Sequence, residues 1–351
     1  MNLHPYLGYV NGKRARINRF GFAGPEPLLK KSDDKIIIGI TGGSVAASLA
    51  ARCIGWASRN SVDLIPGKAV EFISLAIPGY KQPQQLLALD YLLTLGAEFD
   101  IIINLDGYNE ITLPYTENIP AKIHPVFPRA WQLYSQKGFN PEIALQLSRI
   151  EQIRSDRQYK QQFIFQSILQ YSRFCLLIWE VMDRRLENKL YQADSTLREI
   201  LAKIENAENS RGPFLPYASD EAIWRDLVNI WKKASLQMAK TCQANGIAYY
   251  HFLQPNQYYE GSKLLSDEEK NIAYIKGPQP RKIAVSNGYP LMVEAGKELL
   301  AEGVRFIDLT LVFKNEARTV YADNCCHFNQ LGYRVMGTEI FEVIKSDYLT
   351  E

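Results

Sequence analysis

Three short apolar runs in the first third of the chain constrain its fold more than any other feature. KIIIGI (residues 35–40) is too short for a helix and too uniformly apolar for a strand with one exposed face, which is typical of a buried parallel strand. AVEFISLAI (69–77) and FDIIINLDG (99–107) follow it, and the segments between the three runs have helical patterns. This alternation predicts an α/β fold, a three-layer sandwich in which helices cover both faces of a mostly parallel central sheet.

The rest of the chain contains a helical stretch and then a return to the α/β pattern. Residues 128–246 have apolar positions mostly three or four apart, which predicts a long, mostly helical insertion. Strand patterns return in IAYYHFLQP (247–255) and FIDLT (306–310), with helix patterns between and after them. We therefore expect a single domain over residues 1–351, with an N-terminal arm at residues 1–34.

Charge and composition exclude several classes of function. Lys and Arg number 40 and Asp and Glu 38, a net charge of +2, so no nucleic-acid partner is expected. The five cysteines lie at irregular positions without a CxxC pair, which argues against a disulfide framework or zinc fingers. The most apolar stretch, FCLLIWEVM (174–182), is shorter than the roughly 18–20 residues of a membrane span, and we interpret it as the buried face of a helix.

The start of the chain has no apolar segment of the kind found in signal peptides. The compartment therefore stays open. The cell envelope or periplasm is expected if a leader segment is missing from this sequence, and the cytoplasm is expected otherwise. Nothing in the sequence indicates an oligomeric state.

Four loops are predicted to meet at the carboxyl edge of the sheet, where open α/β sheets bind their ligands. They are TGGSVA, IPGY, DGYNEI and YADNCCHFNQLG. Together they supply a hydroxyl, flexible glycine backbones, a carboxamide, a carboxylate and an imidazole. These are the groups required for acyl transfer by an activated serine.

Each candidate residue also has a simpler structural interpretation when it is taken alone. Ser44 could cap the following helix, Gly79 could be a turn glycine, and Asn109 could form an Asx turn. His251 lies inside a predicted strand, where we expect a hydrogen-bonded core residue. The cysteine pair beside His327 also suggests a metal site, but adjacent cysteines do not readily ligate one ion in tetrahedral geometry. We therefore predict no metal and no cofactor.

The order and spacing of these blocks resemble the SGNH hydrolases, also called the GDSL-like esterase/lipase superfamily. Ser44 in GITGGSVA matches the nucleophile block, Gly79 in AIPGY the second block, and Asn109 in GYNE the third. Asp323 and His327 match the last block. The arm segment INRFGFAGPE is similar to the Asn-x-x-Gly-Phe-x-Gly segment of bacterial envelope-associated relatives.

The resemblance implies a flavodoxin-like sandwich that acts as a serine esterase through an acyl-serine intermediate. His327 would accept the proton of Ser44, and Asp323 would orient the imidazole. The backbone N–H groups of Ser44 and Gly79 and the amide of Asn109 would form the oxyanion hole. The implied substrate is a small-molecule or saccharide ester, with removal of O-acetyl or other short acyl groups from a carbohydrate or surface polymer.

Two alternatives stay open. The same site could belong to a lipase, a thioesterase or a saccharide O-acetyltransferase, because all of these use an acyl-serine. The second alternative is a catalytically silent carbohydrate-binding module.

The sequence departs from the family pattern at two positions. Gly43 stands where the family name indicates aspartate, which leaves the chemistry possible because that aspartate is not the nucleophile. The last block has Asp323 four residues before His327 instead of three, and Asn324 occupies the usual position. We expect the extra residue to bulge so that Asp323 reaches His327. The other possibilities are a neutral Asn324 partner or a His–Ser dyad, and the altered spacing favours the silent module.

Overall fold

The central sheet of the protein, described here from a computed structural model, consists of parallel strands only. The structure describes residues 1–57, 65, 67–131, 141–165, 172–203 and 216–350. Within this part of the chain, the central sheet has five strands, which are β3 (Lys35–Gly42), β4 (Ala69–Ser74), β5 (Ile101–Asp106), β6 (Ala248–Leu253) and β7 (Arg305–Asp308). Their spatial order is β4-β3-β5-β6-β7.

Helices flank this sheet, and the predicted three-layer α/β sandwich is confirmed. The α-helices are α1 (Ser44–Ala57), α2 (Gln84–Thr94), α3 (Tyr108–Leu113), α4 (Pro141–Phe165), α5 (Arg173–Lys203), α6 (Asp220–Ala244), α7 (Asp267–Ile272), α8 (Pro280–Ala301) and α9 (Gln330–Thr350). α1 packs close to the C-terminal helix α9, while α6 contacts both α2 and α8.

Strand β3 is buried along nearly its whole length, as its uniform apolar sequence predicts. Ile37, Ile38 and Ile40 have no exposed surface. The strand pairs with β4 on one side and β5 on the other, and both pairings are parallel. After β3 the chain adds β4 on one side of it and then β5 on the other side. This change of side makes a switch point between β3 and β5, and doubly wound sheets form their ligand cleft at such a point.

The N-terminal arm contributes a small antiparallel hairpin, β1 (Asn2–His4) with β2 (Gly8–Val10). Asn18 organises the arm segment that follows, because its Oδ1 accepts the N–H groups of Phe20 and Phe22 while its Nδ2 donates to the carbonyl of Pro25. The arm is also tied to the loop after β4. The hydroxyl of Tyr80 donates to the carbonyl of Tyr9 at 2.7 Å.

The described chain divides into two compact units, and the helical unit is shorter than the predicted insertion. One unit comprises Met1–Arg129 with Pro213–Glu351, and the other is Ala130–Gly212. Helix α6, which we assigned to the insertion at residues 128–246, belongs to the sandwich. The physical reason is its apolar face, where Trp231 is fully buried and donates through Nε1 to Asp106 on β5.

In the helical unit, α4 and α5 pack side by side around Ile143, Ile150, Ala193 and Leu197. The interpretation of FCLLIWEVM as a buried helix face is wrong at four of the seven positions whose side chains the structure describes. Trp179 is buried, whereas Phe174, Leu177, Ile178 and Val181 are 43–71% exposed.

The exposed positions recur every three or four residues, so they share a face of α5 that points away from the small core with α4. None of the helices in the described ranges is both long and apolar enough to span a membrane, as predicted.

Helix α8 contains a proline, Pro290, inside its length. Pro290 and Ser286, the residue one turn earlier, are both exposed. Water can therefore replace the N–H group that proline lacks, and the helix continues.

Candidate active site

Ser44, His327 and Asp323 lie together in one hydrogen-bonded row. Ser44 is the first residue of α1, and Gly43 alone separates it from the end of β3. Its Oγ lies 2.8 Å from Nε2 of His327, and Nδ1 of the same ring lies 2.5 Å from Oδ2 of Asp323. With the ring proton assigned to Nδ1, which faces the carboxylate, Nε2 can accept the proton of the serine hydroxyl. The row has the geometry of a nucleophile, a base and the acid that orients the base.

Asp323, and not Asn324, is the partner of His327. The chain turns tightly around the Asp323 carboxylate, whose Oδ1 accepts the N–H groups of Cys325 at 2.9 Å, Cys326 at 3.1 Å and His327 at 3.2 Å. The N–H of Ala322 also donates to the carbonyl of His327 and closes the loop. This turn accommodates the extra residue, so four-residue spacing still brings the carboxylate to the ring.

The two ionisable partners shift each other's pKa in the directions that favour an ion pair. The hydrogen bond to Asp323 raises the pKa of His327 and outweighs the opposing effect of burial. Burial alone would raise the pKa of Asp323. The hydrogen bond and charge of His327, with the backbone N–H donors, outweigh it, so this pKa is lowered. The site therefore stabilises the imidazolium that forms when His327 takes a proton.

The carboxamide of Asn109 lies directly beside the serine loop. Asn109 is the second residue of α3, and its Nδ2 donates to the carbonyl of Tyr80 at 2.8 Å. A Cβ atom built on Gly43 would lie only 2.2 Å from this Nδ2. Any side chain at position 43 would therefore displace the amide. This close approach is a physical reason for glycine where the family pattern has aspartate.

Gly79 occupies the turn after β4 in the left-handed region, with φ of +84°. A Cβ there would lie 2.8 Å from the hydroxyl of Tyr9 and 3.1 Å from Cδ of Arg129. Because glycine has no Cβ, it fits between these neighbouring atoms and no side chain covers its peptide N–H. Within the part of the chain that the structure describes, the N–H groups of Ser44 and Gly79 donate to no protein acceptor. They are available, together with Asn109, to an oxyanion.

Glu110, the last residue of the GYNE block, anchors α3 and was not assigned a role from the sequence. Its carboxylate accepts the N–H of Gly107 at 2.8 Å and the amide of Gln85 at 2.9 Å. Burial, with the nearby charge of Asp106, raises the pKa of Glu110 to about 8. Glu110 therefore fixes the start of the helix that presents Asn109. A glutamate three residues after the N-cap position, as in a capping box, is the sequence signal that could have indicated this anchor.

The cysteine pair and His327 are the one group among the described residues whose spacing would suit a metal ion. Their ligand atoms lie within 4.8 Å of one another, and the two sulfurs are 3.5 Å apart. The two adjacent cysteines thus bring their sulfurs close together, although the sequence pattern did not favour their ligating one ion. Both nitrogens of His327 are nevertheless engaged, one by Asp323 and one by Ser44. A metal held by all three residues would have to break a contact of the row.

A second Ser–His–Asp arrangement lies in the core and differs from the first in its access to solvent. Nε2 of His251 lies 2.8 Å from Asp106, and its Nδ1 lies 2.7 Å from the hydroxyl of Ser235. His251 and Ser235 have no exposed surface, so no substrate reaches them. This arrangement confirms the predicted core role of His251.

No protein-family model matches the chain, and a search of curated proteins gave no match. The class of function therefore has to be argued from the fold and from the geometry of the site.

Proposed function

We propose that the protein is a serine esterase of the SGNH type that acts through an acyl-serine intermediate. The observation that carries the proposal is the continuous row from Asp323 through His327 to Ser44, with 2.5 and 2.8 Å contacts at the carboxyl edge of the sheet. The row ends at Ser44, at the switch point between β3 and β5. Asn109 lies beside the serine loop at this point and supplies an oxyanion donor.

The reaction proceeds in two steps. His327 takes the hydroxyl proton of Ser44 while Oγ attacks the ester carbonyl, and the negative charge on the carbonyl oxygen is received by the donors of Ser44, Gly79 and Asn109. His327 then gives the proton to the leaving alcohol, which leaves an acyl-serine. In the second step, water loses a proton to His327 and attacks the acyl carbonyl. The bond to Oγ then breaks, the acyl group leaves as the carboxylic acid, and His327 returns its proton to Ser44.

The substrate we propose is a carbohydrate or surface polymer that carries O-acetyl or other short acyl groups. This rests on the block resemblance and on the exposed side chain of Arg129, whose Cδ would lie 3.1 Å from a Cβ built on Gly79. Arg129 is itself held by Glu117 in an ion pair of 2.8 Å. Such groups suit a hydroxyl-rich substrate better than a long alkyl chain.

The direct test is covalent labelling with a fluorophosphonate probe, which requires an activated serine. Labelling of the protein and mapping of the adduct to Ser44 support the proposal. A folded protein that stays unlabelled, and that hydrolyses neither short-chain nor long-chain p-nitrophenyl esters, supports the silent module. Adding a saccharide acceptor to the ester assay separates hydrolysis from acyl transfer, because a transferase forms an acylated sugar.

Asn109→Ala is expected to lower kcat by about 10²–10³-fold, the effect of removing one oxyanion donor. Gly43→Ala is expected to lower kcat similarly, because its methyl group would displace the same amide. The double variant should then lose no more than either single variant, since both remove one interaction. Multiplicative losses in the double variant would show that Gly43 acts by another route. Thermal unfolding of each variant provides the control for folding.

The acid limb of kcat/KM is expected to have its midpoint above about 6.5, the ordinary pKa of histidine. His327 must be neutral to accept the serine proton, and Asp323 raises its pKa. The neutral form is therefore lost at a higher pH than it would be for an isolated ring. A pH–rate profile with an ester whose hydrolysis in buffer is subtracted gives the midpoint. A midpoint at or below 6.5 would contradict the role of the Asp323 contact.

A further inference from the structure

Three consecutive side chains after β6 hold the backbone of the loop that carries Asp323. Each donates one hydrogen bond to a carbonyl of that loop, and the three acceptors are also consecutive residues. The bonds are Asn256 Nδ2 to the carbonyl of Cys325 at 3.0 Å, Gln257 Nε2 to that of Asp323 at 2.9 Å, and the Tyr258 hydroxyl to that of Asn324 at 2.9 Å.

The donors are themselves fixed. Asn256 has no exposed surface, and its Oδ1 accepts the N–H of Tyr258 at 3.0 Å. Gln257 is 5% exposed and donates to the carbonyl of Ala273 as well. The ring of Tyr258 packs against that of Tyr274 with centroids 5.5 Å apart. Because little freedom is left to these side chains, the carbonyls they hold are fixed too.

A buried ion pair holds the start of the same loop. The side chains of Lys263 and Glu269 are fully buried and lie 2.7 Å apart. Glu269 also accepts the backbone N–H groups of Val320 at 2.8 Å and Tyr321 at 3.1 Å. Tyr321 then pairs with Phe328 across the base of the loop. The segment 254–269 therefore contacts both the base and the tip of the loop.

We propose that Asn256, Gln257, Tyr258 and Glu269 are positioning residues that set the Asp323–His327 contact for the chemistry proposed above. The inference rests on that proposed function and adds residues that the site motifs do not contain. The loop uses its N–H groups inward, on Oδ1 of Asp323, so the carbonyls of the same turn need donors from outside. The three side chains supply donors to the loop in which Asp323 and His327 have the unusual four-residue spacing.

Misplacement of a catalytic group by about 1 Å can cost on the order of 10²-fold in rate. Loss of one donor should therefore reduce kcat more than KM, because the donors touch no substrate. It should also lower the pKa of His327, which depends on the hydrogen bond to Asp323. Cys325 also raises this pKa and Arg281 lowers it, and neither residue is substituted when only Tyr258 is altered.

Tyr258→Phe is the test, because it removes one hydroxyl and keeps the ring. The matched control is Tyr259→Phe at the next position, whose ring packs against Tyr289 instead. We expect Tyr258→Phe to lower kcat about tenfold with KM within about twofold, and Tyr259→Phe to change neither. The His327 pKa, measured by NMR titration of its ring, should fall toward 6.5 in Tyr258→Phe alone.

The NMR readout needs no substrate, so it tests the positioning even if the esterase proposal fails. Asn256→Ala provides a second donor variant, and its folding is checked by thermal unfolding. An unchanged His327 pKa in folded Tyr258→Phe and Asn256→Ala would overturn the inference. Lower thermal stability in both variants without a change in pKa or kcat would overturn it as well, because the contacts would then be structural only.

Discussion

If the proposed function is right, Ser44→Ala is expected to reduce turnover of a short-chain p-nitrophenyl ester on the order of 10⁶-fold, the scale found when the nucleophile of a serine protease is removed. The variant loses the only atom that can form the acyl intermediate, and fluorophosphonate labelling should disappear with it. The fold should persist, because Ser44 is half-buried and its hydroxyl bonds the His327 ring. Steady-state kinetics and intact-mass analysis after labelling measure both effects.

The same variant separates catalysis from the simpler interpretation of Ser44 as a helix cap. A capping serine replaced by alanine costs about 1 kcal/mol of stability and leaves a remote activity unchanged. Ser48→Ala, one turn further along α1, is the matched control and should keep full activity. A Ser44→Ala protein that unfolds at a lower temperature but still hydrolyses ester at the wild-type rate would end the nucleophile assignment.

The sheet could be predicted from local sequence because its strands are uniformly apolar. Ile37 and Ile38 are β-branched neighbours on opposite faces of one strand, and only a strand covered on both faces buries both. The burial of α6 and the exposure of α5 could not be predicted in the same way. Both helices have apolar residues at helical spacing, and periodicity does not say which apolar face finds a partner.

The candidate site was predictable to the level of residue types and loops, because strand order brings the loop ends to one edge. The finer geometry depends on contacts between distant residues. Nothing near Gly43 in sequence indicates that Asn109 fills the space of its side chain. Likewise, the effect of the four-residue spacing of Asp323 and His327 depends on two sets of contacts. Oδ1 of Asp323 accepts three backbone N–H groups, and side chains about 66 residues earlier in the chain donate to carbonyls of the loop.

Asp323→Asn is expected to lower kcat about 10⁴-fold, because an amide favours the wrong tautomer of the histidine. Oδ1 of Asp323 already accepts three backbone N–H groups, so the oxygen of an asparagine would keep that place. Its NH₂ group would then face Nδ1 of His327 and donate to it. The ring proton would move to Nε2, which could no longer accept the proton of Ser44.

The matched control is Asn324→Ala at the next position. The Asn324 side chain is exposed and the residue contributes its carbonyl to the loop, so kcat should stay within about twofold of wild type. The pH–rate profile gives an independent measure, because Asp323→Asn removes the charge and hydrogen bond that raise the pKa of His327, and the remaining activity should have an acid limb at lower pH. If Asn324→Ala instead abolishes activity while Asp323→Asn keeps it, the orienting group is Asn324, and the carboxylate has no part in activating Ser44.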